Sequence, residues 1–274
     1  MNKSLFYHSV KGLRRTNEDK HIVFITNNFM LLGVCDGHGG SKVSKFIADL
    51  IPKVFTACDF THPINPNQYK KICMNIQENL KSQSYARNSG CTCTLFLKYK
   101  DKDDFYTINI GDSRIIACYK NINKKSNKIN GYEIKQLTKD HKPYDQDEKK
   151  LIELKGGSVE IIEGIYRIDG LSLSRCFGDC SNKYISCIPD IKNYKTTYKK
   201  NNIEQKLLFV IIGCDGLYDN LPNDKIISFI INNFYDDDLN RKMPKNINPA
   251  AKLCELALIN ESTDNVSVII KFFD

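Results

Sequence analysis

Phe29-Met30-Leu31-Leu32-Gly33-Val34-Cys35, followed at once by Asp36-Gly37-His38-Gly39-Gly40, is an apolar run of strand length that stops on an acid. Such a run, bounded by turn residues, suits a strand buried in a sheet better than a helix. Runs of the same kind recur at residues 21–25, 92–98, 105–110, 114–119, 132–137, 207–214 and 266–272. Several are short and turn-bounded, as in antiparallel sheets. Helical spacing falls between them, most clearly in Val43, Phe46, Ile47, Leu50, Ile51, Val54 and Phe55, where Pro52 should kink the helix. A second helix places Tyr69, Ile72, Cys73, Ile76 and Leu80 on one side, consecutive with the first and able to pack on it. Asn223 and Asn248-Pro249 mark the starts of two later helices, Asn as cap and Pro at the first helical position. Strands therefore come in clusters with helices inserted, which predicts an α+β fold with antiparallel sheets and excludes a Rossmann-type parallel sheet.

Composition sets the outer bounds. The chain has 274 residues, 41% apolar and 26% charged, enough for one large domain spanning residues 1–274. The net charge of +8 comes from lysines in loop-like runs, Lys124-Lys125 and Lys199-Lys200 among them, interleaved with Asn. They read as solvated surface and not as a nucleic-acid footprint, and residues 120–130 and 192–202 read as surface loops. Eleven cysteines are an odd number, and Cys91 and Cys93 would point to opposite sides of one strand, so structural zinc is not expected. No apolar run nears the roughly 18 residues of a membrane span. Lys11, Arg14 and Arg15 interrupt any signal-peptide core, and Asn2 excludes N-myristoylation. A reducing, cytoplasmic or nuclear setting and a monomeric chain are the expectation.

The acids carry the functional signal. Asp36 follows residues 30–35, Asp215 follows the run 208–214, and Asp264-Asn265 immediately precedes the run 266–270, so each acid sits at a strand end. Carboxylates converging at a rigid rim repel one another unless a cation joins them. Gly37 and Gly216 after two of them permit close approach of a carbonyl or an oxyanion. Glu18 and Asp19 add two more acids. Oxygen ligands with little His or Cys select Mg²⁺ or Mn²⁺ over zinc. Two such ions about 3.5–4 Å apart can share a water and bring its pKa to roughly 7, ready for in-line attack on phosphorus. Arg14 offers a fork for phosphate oxygens, and His38 a proton for the departing alkoxide.

Taken singly, each feature has a plainer reading. Asp-Gly pairs are mostly turns, a lone His38 is commonly a surface histidine, and Arg14-Arg15 beside Glu18-Asp19 makes a salt-bridged segment. Asp112 in Gly-Asp-Ser-Arg reads as a hairpin turn between the runs 105–110 and 114–119, and Arg175 and Asp179 as a buried ion pair or turn.

In order along the chain, however, these pieces resemble the type 2C family of metal-dependent protein serine/threonine phosphatases. The resemblance rests on Arg14-Arg15-Thr16-Asn17-Glu18-Asp19, Val34-Cys35-Asp36-Gly37-His38-Gly39-Gly40, Ser89-Gly90-Cys91-Thr92 and Asn109-Ile110-Gly111-Asp112-Ser113-Arg114. It continues through Leu137-Thr138-Lys139-Asp140-His141-Lys142-Pro143, Leu171-Ser172-Leu173-Ser174-Arg175-Cys176-Phe177-Gly178-Asp179, Asp215-Gly216-Leu217-Tyr218-Asp219 and Ser262-Thr263-Asp264-Asn265. It implies a four-layer αββα arrangement, a central sandwich of two antiparallel sheets flanked by helices, with a metal cleft at one end. By position, Asp36 would bridge two Mg²⁺ or Mn²⁺ ions and Gly37 would offer its carbonyl. Asp215 and Asp264 would hold the first ion and Glu18 the second, while Asp112 would help hold a weaker third. Arg14 would bind substrate phosphate and His38 would be the general acid; Asp19, Thr92, Asn265 and Arg175 would support. The substrates would be phosphoproteins, with neither nucleic acid nor membrane as partner. Tyr218 and Cys214 depart from the family's usual Trp and Ser or Ala without touching the acids. Residues 156–173 match its flap, and the chain resembles a bare catalytic domain. Two alternatives stand beside this reading: a pseudophosphatase that binds without catalysis, which the intact acid set opposes, and a hydrolase of small phosphoesters, which the two-metal chemistry alone does not distinguish.

Overall fold

A computed structural model of the chain describes residues 4–58, 62–126, 128–244 and 246–273. Met1, Asn2 and Lys3, on which part of the reading of the N-terminus rests, lie outside them, as does Asn127 of the predicted loop 120–130.

Two antiparallel sheets stack face to face. The first runs Leu5–Val10, Val266–Phe272, Ile203–Gly213, Arg114–Asn123, Ile129–Gln136, with Thr197–Lys200 also pairing on Ile203–Gly213. The second runs Asp190–Lys195, Asp104–Ile110, Cys93–Tyr99, Phe29–Cys35, Lys20–Ile25. Alternation along each strand sorts the side chains. Ile115, Ala117 and Tyr119 meet Leu32, Val34 and Phe96 between the sheets, while Ile116 and Cys118 face the other way, toward helices Asn223–Phe234 and Pro249–Ile259. The outer face of the second sheet packs Leu31, Leu95 and Ile108 against helices Lys42–Ala57 and Pro66–Lys81. Because helices cover both outer faces, the central strands are apolar throughout, which is why they were readable as uninterrupted runs.

The predicted helices form where the periodicity places them. The first continues through Pro52 to Ala57 and touches the second through Phe55 and Tyr69, ring centroids 5.5 Å apart. Asn65 and Asn248 each cap a helix that has Pro at its first position. Asn223 does not cap: Pro222 holds that position, and Asn223 is drawn away to accept from Arg114 Nη1 at 2.8 Å and to donate to Gln136 at 2.9 Å. A further helix, Gln146–Leu154, starts on Asp145, whose side chain accepts from the amides of Asp147 and Glu148.

Both polar stretches read as loops contain strands. Arg114–Asn123 pairs with Ile203–Gly213 out to Asn123 opposite Ile203, and Ile129–Gln136 returns alongside. Asp190–Lys195 is a sheet edge, and Thr197–Lys200 turns back through Asn201 at φ +52°. Ile129–Gln136 and Asp190–Lys195 are edge strands, and an open side carries Lys and Asn without loss, so composition there hides the strand. The pairing of Leu5–Val10 with Val266–Phe272 likewise joins the two ends of the chain and has no local signature.

Two corrections bear on the site. Asp112 is not in a hairpin: Asp104–Ile110 and Arg114–Asn123 belong to different sheets, and Asp112 sits where the chain crosses between them. Cys91 and Cys93 do not lie on opposite sides of one strand: residues two apart on a strand share a face, and the strand here also breaks at Thr92. Gly90–Cys91 joins a small sheet with Gly37–His38 and Phe177–Gly178, and both cysteines pack with Cys35 in one core. All eleven cysteines are free thiols. Among the described residues, no helix is long and apolar enough to cross a membrane.

Candidate active site

A cleft of about 610 Å³ opens at one end of the sandwich, lined by Arg14, Glu18, Asp36, Gly37, His38, Asp112, Asp215, Asp264 and Asn265. Strand ends from both sheets deliver the acids. Asp36 follows Phe29–Cys35 and is fixed by Thr92: the Asp36 amide donates to Thr92 Oγ1 at 3.0 Å, and the Thr92 amide donates back to the Asp36 carbonyl at 2.8 Å. Those two bonds are what interrupt the strand at Thr92. Gly37 follows, where a Cβ would come within 2.5 Å of the Glu18 carbonyl, so no other residue fits.

Asp215 opens a single helical turn, Asp215–Tyr218, directly after Ile203–Gly213. Its neighbour Gly216 passes so close to the segment bearing Asp264 that a Cβ would lie 2.1 Å from the Asn265 carbonyl. That contact brings Asp215 and Asp264 side by side. Asn265 performs the supporting role expected of it. Its Oδ1 accepts from the Glu18 amide at 2.8 Å, and its Nδ2 donates to the carbonyls of Lys11 and Thr16 at 2.7 and 2.9 Å. The loop carrying Arg14 and Glu18 is thereby stapled to the strand carrying Asp264. Glu18 Oε2 accepts from the Gly40 amide at 2.8 Å, and Arg14 Nη2 donates to Asp264 Oδ2 at 2.6 Å.

The electrostatics are those of a cluster short of positive charge. Burial, then repulsion from Asp215, Asp19 and Asp112, pushes Asp36 well above the carboxylate range. Burial and Asp112 raise Asp215 to about 8 despite Lys142. Burial raises Asp19 to about 6; Ser267 and Cys214 partly offset this, yet neither Asp19 oxygen meets hydrogen-bond geometry. Two protein cations do reach the cluster, Arg14 on Asp264 and Lys142, whose Nζ lies 2.5 Å from the buried Asp112.

These groups fit divalent metal. The donors are carboxylates and the Gly37 carbonyl, hard oxygens that suit Mg²⁺ or Mn²⁺, and cations among them would relieve the repulsion just described. Among the described residues, no three of the carboxylates bring ligand oxygens within 4.8 Å of one another; the one set that does is His38, Cys176 and Asp179. Acids sharing two ions about 3.5–4 Å apart form a wider ring than the shell of one ion.

His38 Nε2 lies 2.5 Å from Asp179 Oδ2. Burial alone would lower the imidazole pKa, but the bond to Asp179 and its charge outweigh burial and raise it. Asp179 and Lys142 are the residues that sequence reasoning left without a role in the cleft. Both sat inside quoted motifs, but their partners lie 141 and 30 residues away in the chain. Arg175 does not enter the cleft. It pairs with Glu148 and, at 3.0 Å, with Asp190, behind the segment that His141 ties to the Gly111 amide. The flap is a hairpin of Glu160–Ile162 and Ile165–Arg167, turned by Glu163 and Gly164 at positive φ. Arg167 and residues 170–173 reach the cleft wall.

Comparison with known proteins agrees with this architecture. The family model described as Protein phosphatase 2C matches residues 4–266. The chain is 29% identical to "Probable protein phosphatase 2C 45" of Oryza sativa subsp. japonica, over 89% of this chain and 76% of that one. It is 30% identical to "Probable protein phosphatase 2C 4" of Paramecium tetraurelia, over 81% of this chain and 74% of that one. The solved serine-threonine phosphatase 2C of Toxoplasma gondii superposes with a TM-score of 0.75 at 20% identity, over 98% of this chain and 94% of that one, a likeness of fold.

Proposed function

Because the chain belongs to the protein phosphatase 2C family, of metal-dependent serine/threonine phosphatases, we infer that its carboxylate cleft is the active site and hydrolyses phosphoserine and phosphothreonine in proteins. The observation that supports this most strongly is the pair Asp36 and Asp215, half-buried at strand ends from two sheets and pushed out of the carboxylate range by desolvation and by the neighbouring acids, Asp215 acting on Asp36 and Asp112 on Asp215. In this reading residues 1–274 act as one catalytic domain, a monomer of the cytoplasm or nucleus engaged in signalling.

Asp36, Asp215 and Asp264, with Glu18 and the Gly37 carbonyl, would hold two divalent ions, Mg²⁺ or Mn²⁺, and Asp112, now paired with Lys142, would contribute to a weaker third. When bound, the ions supply an activated water and neutralise phosphate charge. The chain's own side chains do the rest. Arg14, at the cleft beside Asp264, would present its fork to the phosphate oxygens. Asp179, bonded to Nε2, keeps the imidazole of His38 protonated and oriented, so that the other ring nitrogen, Nδ1, delivers its proton to the departing serine or threonine oxygen. Thr92 and Asn265 hold the backbone of Asp36 and the Glu18 loop in register, and Asp19 adds negative charge behind Asp36.

Asn265→Ala tests the stapling role. It leaves the Glu18 amide and two carbonyls without their partner, and raises the metal concentration needed for half-maximal activity by about 10–100-fold. An unchanged metal requirement contradicts it. Substrate class is tested by comparing turnover of a phosphothreonine peptide with that of a nucleotide monophosphate at equal Mn²⁺. The peptide is expected to be the better substrate; a preference for the nucleotide would move the assignment to small phosphoesters.

A further inference from the structure

Beside the oxygen-lined cluster stands a donor set of different chemistry. His38, Cys176 and Asp179 bring Nε2, Sγ and a carboxylate oxygen within 4.8 Å of one another, and among the described residues no other three His, Cys, Asp or Glu side chains do so. One oxygen, Asp179 Oδ2, faces both partners, 2.5 Å from His38 Nε2 and 3.1 Å from Cys176 Sγ, which donates to it. The scaffold is short and paired. Gly37–His38, Gly90–Cys91 and Phe177–Gly178 form one three-stranded sheet, with His38 opposite Gly90 and Gly90 opposite Gly178. The ligands thus straddle the central strand, and Gly90 is the residue beneath them. A Cβ there would lie 2.3 Å from Asp179 Oδ2 and 2.8 Å from His38 Nε2.

We propose that His38, Cys176 and Asp179 form an inhibitory site for a soft divalent cation, Zn²⁺, separate from the catalytic pair and closing on the side chain that the reaction needs free. Imidazole, thiolate and carboxylate are the ligands of tetrahedral zinc, whereas Mg²⁺ takes oxygen and leaves thiolate alone. Zinc bonds of about 2.0–2.3 Å put ligand atoms about 3.3–3.7 Å apart in a tetrahedron. The set therefore has to open by less than about 1 Å, and the missing side chain at Gly90 leaves the space. Of the three, His38 lines the cleft, and water would take the fourth position. Binding forms Zn–N, Zn–S and Zn–O bonds and releases the Cys176 thiol proton, together with the Nε2 proton of His38 when the ring is charged, so it strengthens as pH rises. A His38 bound through Nε2 is held as neutral imidazole and is no longer the imidazolium acid that the leaving group needs. The inhibitory consequence rests on the general-acid reading of His38; the metal site itself does not.

The test uses the full chain saturated with Mg²⁺ and titrated with Co²⁺ and Zn²⁺. Co²⁺ is expected to give a thiolate-to-metal charge-transfer band that Cys176→Ala lacks. Zn²⁺ should inhibit phosphopeptide hydrolysis by the wild type, and Cys176→Ala should keep the Mg²⁺-dependent rate while needing at least roughly 10–100-fold more Zn²⁺ for the same inhibition. Cys176→Ser, which retains a donor to Asp179, serves if the alanine variant folds poorly. A charge-transfer band that survives both substitutions, or a Zn²⁺ sensitivity that neither shifts, would overturn the proposal. Loss of the Mg²⁺-dependent rate in the wild type would instead count against the active-site reading, because the cobalt band reports binding without turnover.

Discussion

Asp215→Asn lowers metal-dependent phosphopeptide hydrolysis by at least about three orders of magnitude, the several kcal/mol that a polarising cation contributes to the transition state, while leaving the fold intact. The shape of the side chain is kept and only its charge is lost. Without metal, that charge is a burden. Burial and Asp112 hold the Asp215 pKa in the folded chain at about 8, against the 3.8 of an ordinary aspartate. Between those values the folded chain binds a proton that the unfolded chain has released, so stability falls as pH rises through the window. Asparagine carries no such penalty. In EDTA, the melting temperature of Asp215→Asn relative to wild type should therefore climb from pH 5 to pH 8, even as activity with metal collapses. Near-normal activity in the variant would remove Asp215 from the metal site, and a relative melting temperature that does not move with pH would contradict its raised pKa.

His38→Ala separates proton delivery from metal chemistry. A serine or threonine alkoxide leaves poorly without a proton, and a positioned general acid contributes about 10²–10⁴-fold. The variant should lose that factor on a phosphothreonine peptide and far less on nitrophenyl phosphate, whose phenolate departs unaided. Equal losses on both substrates would assign His38 to structure or binding. Asp179→Asn should move in the same direction by a smaller step, since the ring remains but loses the carboxylate that keeps it protonated.

Much of this site was legible because sequence and geometry share a cause. A strand buried on both faces is apolar to its end, so Asp36 and Asp215 announce themselves as the first polar residues beyond one, and Asp264 with Asn265 as the last before one. Glycine at 37 and 216 is equally local, since the backbone passes there too closely for a side chain. What was not legible depends on partners distant in sequence. Nothing in Gly111-Asp112-Ser113-Arg114 says that the flanking strands belong to different sheets, and a hairpin is the simpler local reading. The pairs Lys142–Asp112 and His38–Asp179 exist only once the layers stack. Cys91 and Cys93 were misread because residues two apart on a strand share a face and do not oppose each other, and the break at Thr92, which holds Asp36, depends on a partner 56 residues away. The edge strands Asp190–Lys195 and Thr197–Lys200 were hidden by the lysines that exposed edges tolerate.

The most direct test of the central claim is phosphate release from a phosphothreonine peptide by the purified chain, measured with added Mn²⁺ or Mg²⁺, then with EDTA, then with metal restored. The carboxylate cleft predicts release that requires metal, stops with the chelator and returns with the ion. A folded chain that releases no phosphate under any of these metals, or that continues undiminished in EDTA, would contradict it.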